Sequence, residues 1–264
     1  MTIDPTAEIH ASAVVEPGAR IGPGVRIGPF SLIGPRVELA AGVEIKSHVV
    51  VTGVTRIGAG SVVFPFAVLG EIPQDLKFAG EETRLEIGAR NRIREHVTMN
   101  TGTAGGGGVT RIGDDGLFMA GCHIAHDAQV GDRVIVVNSA AIAGHVVLED
   151  DVIVGGLVGV HQFVRVGRGA IIGALSMVTA DVLPYGLVQG PRGTLDGLNL
   201  VGLKRRGVAR SDITALRAAL MALKDGEGSF QDRAGRLAEE SDSAYVREIA
   251  DFVLGVSDRG FLTP

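Results

Sequence analysis

The amino-acid sequence predicts a mainly β protein, a triangular parallel β-helix of hexapeptide repeats followed by a small α-helical domain. Three observations lead there. Large aliphatic residues recur every six positions, and 39 of the 264 residues are glycine while tryptophan is absent and aromatics amount to 4 %. The hexad pattern then stops near Asp181, and apolar residues recur at helical spacing. The expected division is residues 1–190 for the solenoid and 191–264 for the helical part.

Stepping by six from Ile9 reaches Val15, Ile21, Ile27, Ile33, Leu39, Ile45, Val51, Ile57, Val63 and Leu69. A short run of Ile87, Ile93 and Met99 follows. A third begins at Ile112 and passes through Phe118, Ile124, Val130, Val136, Ile142, Leu148, Val154, Val160, Val166 and Ile172 to Val178. Four places further on the residue is small or β-branched, as at Val25, Val43, Ala128, Ala140, Val158 and Ala170. A period of six matches neither the helical 3.6 nor a short strand's alternation. It matches a prism in which each hexad forms one flat side and three hexads close a coil. Each aliphatic residue then stacks on its equivalent one coil away, at the inter-strand spacing of about 4.8 Å. Glycine and small residues suit the sharp corners.

Two segments interrupt the count. Leu69 to Ile87 keeps a spacing of 18 but puts Asp75 and Glu81 at aliphatic places, so the chain is expected to loop out there. From Met99 to Ile112 the step is 13, and NTGTAGGGGVTR is too rich in glycine to form a wall. Insertions of this kind project from a solenoid and often carry its binding surface. After Val178, Ser211 or Asp212 is expected to cap a helix bearing Ile213, Leu216, Leu220 and Leu223, which Gly226 and Gly228 end. Ser229 opens a second helix through Leu237, and Ser243 a third with Tyr245, Ile249, Phe252 and Val253. Such a unit caps the end of a solenoid.

The bulk numbers exclude several classes. A net charge of -5 gives no general nucleic-acid footprint, and Lys204-Arg205-Arg206 is the one dense basic cluster. A single cysteine, Cys122, excludes an internal disulfide and fits a reducing cytosol. The first fifteen residues, MTIDPTAEIHASAVV, lack the charged and apolar regions of a secretory signal, and no apolar run approaches the roughly 20 residues that span a bilayer. The expectation is a cytoplasmic protein with no stable membrane insertion.

Against this aliphatic background GCHIAHDAQVGD, residues 121–132, places two histidines and an aspartate within five residues. With Ile124 inward, His126 and Asp127 fall near a corner and face outward. One coil on, Gly144 aligns with His126 and His145 with Asp127, and His161 and Gln162 lie in the coil after that. This convergence on one strip does not follow from folding needs. Three imidazoles also suit zinc, whereas Asp127 beside His126 suits a general base oriented by a carboxylate. Spacing alone leaves both open. A structural solenoid with solvated histidines is the non-enzymatic alternative.

The sequence resembles the acyl-carrier-protein-dependent UDP-N-acetylglucosamine O-acyltransferases that begin lipid A synthesis. The resemblance rests on IGPFSLIGP near the start, QDLK at Gln74 to Lys77, RIREHVT, HIAHD, AGHV, GVHQF and GLNLVGLKRRG at Gly197 to Gly207. It implies a left-handed coil, the handedness of known hexapeptide solenoids, and a homotrimer with active sites between neighbours. His126 would be the general base that activates the sugar 3-hydroxyl, Asp127 would orient it, and the Gly144 N–H would hold the oxyanion. Gln74, Asp75, Lys77, His123, His145, His161, Gln162, Asn199, Arg205 and Arg206 would bind substrate, and Gly173 and Ala174 would border the acyl groove. The resemblance implies no cofactor and no metal, the acyl chain arriving on the phosphopantetheine of acyl carrier protein. Lys204 and Arg206 could also receive that acidic partner. Two positions depart from the common pattern: Asn100 stands where a His is usual, and Val201 where an acidic residue is usual. Both bear on whether the acceptor is the 3-hydroxyl or a 3-amino analogue. A hexapeptide acetyltransferase using acetyl-coenzyme A is a further alternative, which leaves QDLK and the KRR cluster unexplained.

Overall fold

The computed structural model describes residues 2–263. Among them the strands, most only two residues long, form three sheets of nine, eleven and nine strands. Each sheet is one side of a triangular prism. Neighbours in a sheet are successive coils, so Arg20 and Ile21 pair in parallel with Glu38 and Leu39, one coil on. The chain is a left-handed parallel β-helix with a small helical part after it.

We call the sides by their first strands: face one begins at Thr2–Ile3, face two at Glu8–Ile9 and face three at Val14–Val15. In every hexad from Ile21 to Val178 the predicted inward residue is buried, with Ile33, Leu69, Phe118 and Ile124 fully enclosed. The place four residues on, as at Val25 or Ala128, also points inward. Each such aliphatic side chain contributes about 1.5–3 kcal/mol by leaving water. Polar residues enter only at this second place, where Asn91 donates to the Gly113 carbonyl and accepts from the Gly116 N–H, both at 2.8 Å. Coils also stack too closely for side chains at some places. A Cβ on Gly58 would lie 2.4 Å from the backbone of Gly88 in the next coil.

The corners differ from the expected run of small residues. Phe30, His48, Phe66, His96, Asp127, His145 and Phe163 all sit there with φ between 58° and 66°. The left-handed conformation costs a residue with a Cβ about 1–2 kcal/mol, and stacking along the edge offsets much of that. Between faces two and three, Phe30, His48, Phe66 and His96 form a ladder with ring centroids 5.1, 5.1 and 5.0 Å apart. Between faces one and two the partners are charged, Arg90 with Asp115 at 2.7 Å and Arg133 with Asp151 at 2.8 Å.

Both insertions leave the prism at the third edge, between faces three and one. Residues 72–83 follow the strand Val68–Glu71, and residues 101–108 follow Thr98–Asn100. The two loops are tied together. Ala104 donates its N–H to the Glu81 carboxylate at 3.2 Å, and the Thr83 hydroxyl donates to that of Thr101 at 3.0 Å.

Past Val178 the chain returns to face two as Gly186–Gln189, then pairs antiparallel through Thr194–Leu198. The boundary expected at 190 falls in the turn of this hairpin. Helices α1 (Leu200–Arg205), α2 (Arg210–Asp225), α3 (Phe230–Glu240) and α4 (Ala244–Leu254) follow. α1 was not anticipated. It is capped by Asn199, whose side chain accepts from the Gly202 N–H. α2 starts at Arg210 without either expected cap, because Asp212 lies within its first turn and accepts from the Ser243 hydroxyl instead. Ser229 does cap α3, in a reciprocal box with Asp232. Ser243 stands at the α4 cap but spends its hydroxyl on Asp212.

Candidate active site

The third edge carries Asp127, His145 and Phe163 in three successive coils. His126 and Asp127 do not face solvent as their position suggested. They are only 5 % and 3 % exposed, and the 101–108 loop folds over Asp127. That loop must be glycine-rich here. A Cβ on Gly106 would lie 2.1–2.4 Å from the Asp127 carboxyl group, and one on Gly102 would meet both the Gly108–Val109 backbone and the same carboxylate.

Three donors converge on the two oxygens of Asp127. The Thr103 N–H reaches Oδ1 at 2.8 Å, and the Thr103 hydroxyl and His126 Nδ1 reach Oδ2 at 2.6 and 2.8 Å. The Asp127 backbone N–H donates in turn to the Thr110 hydroxyl at 2.8 Å. Since a carboxylate only accepts, the His126 proton resides on Nδ1 and Nε2 keeps its lone pair. Gly144 leaves that nitrogen open: a Cβ there would stand 2.7 Å from Nε2 and 2.5 Å from Cε1. The Gly144 N–H makes no hydrogen bond to any of the described residues and is free to donate.

The neighbouring imidazoles are tuned differently. His145 stacks on Phe163 at 4.4 Å, meets the His126 ring edge-on at 5.1 Å, and lies 3.8 Å from Asp127 Oδ2. Its burial lowers its pKa, against the nearby Asp127 charge that raises it. His123 shares a 2.7 Å hydrogen bond with Thr98, and its pKa is also lowered, by burial first and the neighbouring His126 second. Cys122 is fully buried, and desolvation pushes its thiol up to about 12, so it is no nucleophile.

A cavity of about 420 Å³ opens on this corner across face three. Gln74, His123, His126, Gly144, His161 and Gln162 line it, together with Met177. A groove of about 730 Å³ on face two near Glu8, Arg26 and Lys46 is larger but lies many coils away and holds no comparable dyad. The ligating atoms of His126, Asp127 and His145 lie within 4.8 Å of one another, the spacing a metal ion would use. Both Asp127 oxygens are already engaged by Thr103 and His126. A cation would have to displace those bonds, so the donor set fits a hydrogen-bonded dyad better.

The other anticipated residues fall in several places. Asp75 and Lys77 sit on the first loop, where the Lys77 N–H donates to Asp75 at 2.9 Å, and Asp75 is near enough to act on His145's charge. Gly173 and Ala174 lie past the far side of face three, beside exposed Leu175 and Leu157. Asn199, Arg205 and Arg206 do not join the pocket within one chain. Asn199 is spent on capping α1 and on the Gly169 carbonyl, and Arg206 packs against Gly169 and the Tyr185 ring, on the edge between faces one and two. Val201 is exposed on α1. Asn100 is buried and donates to the carbonyls of Glu71 and Ile72, so its amide secures the root of the first loop and does not line the cavity. Thr103 and Thr110 escaped the sequence reading because an insertion removes them from the hexad count.

Comparison with known proteins gives a consistent set of relatives. A family model described as UDP N-acetylglucosamine O-acyltransferase, domain 2, matches residues 181–262, and one for the bacterial transferase hexapeptide matches residues 18–53. The chain is 74 % identical over 203 residues, 77 % of each chain, to the acyl-acyl-carrier-protein–UDP-N-acetylglucosamine O-acyltransferase of Paracoccus denitrificans. It is 47 % identical to the protein of that name from Agrobacterium fabrum, over 100 % of this chain and 98 % of that one. Among solved structures, the UDP-N-acetylglucosamine acyltransferase from Campylobacter jejuni superposes with a TM-score of 0.91 at 38 % identity, covering 97 % of this chain and 100 % of that one.

Proposed function

The chain belongs to the acyl-carrier-protein-dependent UDP-N-acetylglucosamine O-acyltransferases, and from that premise we propose how its own residues carry the reaction. It is an acyltransferase that moves an acyl chain from acyl carrier protein to UDP-N-acetylglucosamine, the first step of lipid A biosynthesis. In our reading the chain transferred is 3-hydroxyacyl and the acceptor is the sugar's 3-hydroxyl.

His126 Nε2 takes the proton of that hydroxyl as its oxygen attacks the thioester carbonyl. The Gly144 N–H donates to the tetrahedral oxyanion. Collapse of the intermediate breaks the carbon–sulfur bond, and the imidazolium returns its proton to the departing thiolate of phosphopantetheine. Asp127 holds the productive tautomer and stabilises the imidazolium between the two steps. The observation that carries this reading is the carboxylate of Asp127, buried and held by three donors with His126 as one of them. The thioester is already activated, so no covalent enzyme intermediate is required.

Gln74, His123, His161 and Gln162 would bind the nucleotide sugar, with His145, Asp75 and Lys77 at the rim. Arg205 and Arg206 stand on another edge of the same chain, so they would complete a neighbour's site in a homotrimer, with Asn199 fixing the start of the helix that carries them. Lys204 and Arg206 would also meet the acidic carrier protein. Gly173 and Ala174 would border the acyl tail beyond Met177. No helix among the described residues is long and apolar enough to cross a membrane, and the cytoplasm is the compartment we propose.

The test is acyl transfer from a panel of 3-hydroxyacyl carrier proteins to UDP-N-acetylglucosamine and to its 3-amino analogue. Ester formation on the first sugar supports the reading. Amide formation on the second alone would reassign the acceptor, and transfer only from acetyl-coenzyme A would overturn it.

A further inference from the structure

The segment after α4 doubles back along the prism and delivers a guanidinium to the wall of the active-site cavity. Asp181, fully buried, organises this path. Its carboxylate accepts from Arg165 Nε at 2.7 Å and from the Ser257 hydroxyl at 2.7 Å, and its backbone pairs on either side of Phe261, accepting from Leu262 and donating to Gly260. The segment is therefore pinned on both sides of Arg259. Ser257 fixes the residue itself, since its hydroxyl accepts the Arg259 N–H at 3.0 Å. From that anchor Arg259 Nη2 reaches His161 Nδ1 at 2.8 Å, and Nε donates to the Gln162 carbonyl at 3.0 Å. Arg259 forms no salt bridge among the described residues, so its fork is available to these two wall residues.

A guanidinium can only donate and stays charged. His161 Nδ1 also lies 3.3 Å from the Gln162 carbonyl, but the shorter 2.8 Å contact with a group that can only donate makes Nδ1 the acceptor and puts the ring's proton on Nε2. His126 has the opposite arrangement, with its proton on Nδ1 held by Asp127 and its Nε2 a bare acceptor. The two imidazoles lining one cavity are thus set to opposite polarity by two different partners. We propose that Arg259 is a positioning residue that locks His161 as a hydrogen-bond donor to a substrate oxygen, with the Gln162 backbone held in register beside it. That oxygen belongs either to the nucleotide sugar or to the acyl donor. The proposal rests on the acyl-transfer reading for the identity of the ligand, but the tautomer does not.

The experiment is long-range proton–nitrogen correlation on imidazole-labelled protein, with kinetics on Arg259→Met and Arg259→Lys. In the wild type His161 should show a proton on Nε2 and none on Nδ1. Arg259→Met should release the ring to a mixture of tautomers and raise the KM of one substrate about tenfold, the worth of one hydrogen bond to a charged donor, with kcat within about twofold. Arg259→Lys, which keeps a donor but loses the fork, should fall between. The substrate whose KM rises identifies the oxygen. A wild-type His161 carrying its proton on Nδ1 would overturn the proposal, as would an Arg259→Met protein with both KM values unchanged. Were no acyl transfer detectable from any donor, the proposed function would fail while the tautomer spectrum still decided this point.

Discussion

Two edges of the same prism hold histidine and phenylalanine in the same left-handed corner conformation, yet their chemistry diverges. On the edge between faces two and three, His48 and His96 stack against Phe66 and stand open to solvent. On the edge between faces three and one, His145 stacks on Phe163 in the same manner, but Asp127 occupies the next rung and the 101–108 loop closes over it. The rung geometry is a property of the coil and costs both edges the same backbone strain. What distinguishes the second edge is a carboxylate with converging donors and exclusion of water, which strengthens each of those bonds. An aromatic ladder with histidines is therefore a folding device until an insertion covers it.

The most severe way to break this comparison is to truncate one histidine from each edge. His126→Ala should lower kcat by about a thousandfold, in the range of a lost general base, while His96→Ala leaves acyl transfer unchanged. Comparable losses in both would dissolve the distinction. Gly106→Ala tests the cover, because its Cβ must push the loop off Asp127. A displacement of about 1 Å at a catalytic group costs roughly a hundredfold, so kcat should fall by that order with thermal stability little affected. Thr103→Val removes one donor from Asp127 Oδ2 and should cost about tenfold in kcat. Thr103→Ser should restore most of it, which a purely structural threonine would not require.

The smallest effect concerns pH and stability. Burial holds His123 and His145 below the ordinary imidazole value of 6.5, so their protonation favours the unfolded chain. Their contribution is present above that value and is lost as pH falls through the lowered folded values. The midpoint of thermal unfolding should drop between about pH 7 and pH 5, and by less in His123→Gln. A midpoint that rose on acidification would contradict the burial assigned to these rings.

How much of this was legible follows from what repeats. Inward positions such as Ile33 and Ile142 announce the coil because every hexad repeats a large apolar residue there. The alignment of Gly144 on His126 and of His145 on Asp127 is visible for the same reason, since one coil is always the same number of residues. Thr103 touches Asp127 across a separation of 24 residues set by a loop, and Arg259 meets His161 from 98 residues away. Neither spacing belongs to any period. Burial of Asp127 was equally hidden, because a corner residue faces outward by register and here the 101–108 loop, with Thr103 and its glycines, covers it. Nor did any spacing announce that the Asn100 amide donates to the carbonyls of Glu71 and Ile72 at the root of a loop.

The measurement that tests the central claim most directly is the turnover of Asp127→Asn with 3-hydroxyacyl carrier protein and UDP-N-acetylglucosamine. The amide keeps the shape but its nitrogen cannot accept, so it cannot take all three donors; with its oxygen on the Thr103 N–H its nitrogen turns toward His126 Nδ1, and the imidazole loses its productive tautomer. We predict a fall in kcat of about a thousandfold or more, with the KM of both substrates little changed. Turnover near the wild-type rate would contradict a carboxylate-oriented His126 as the base.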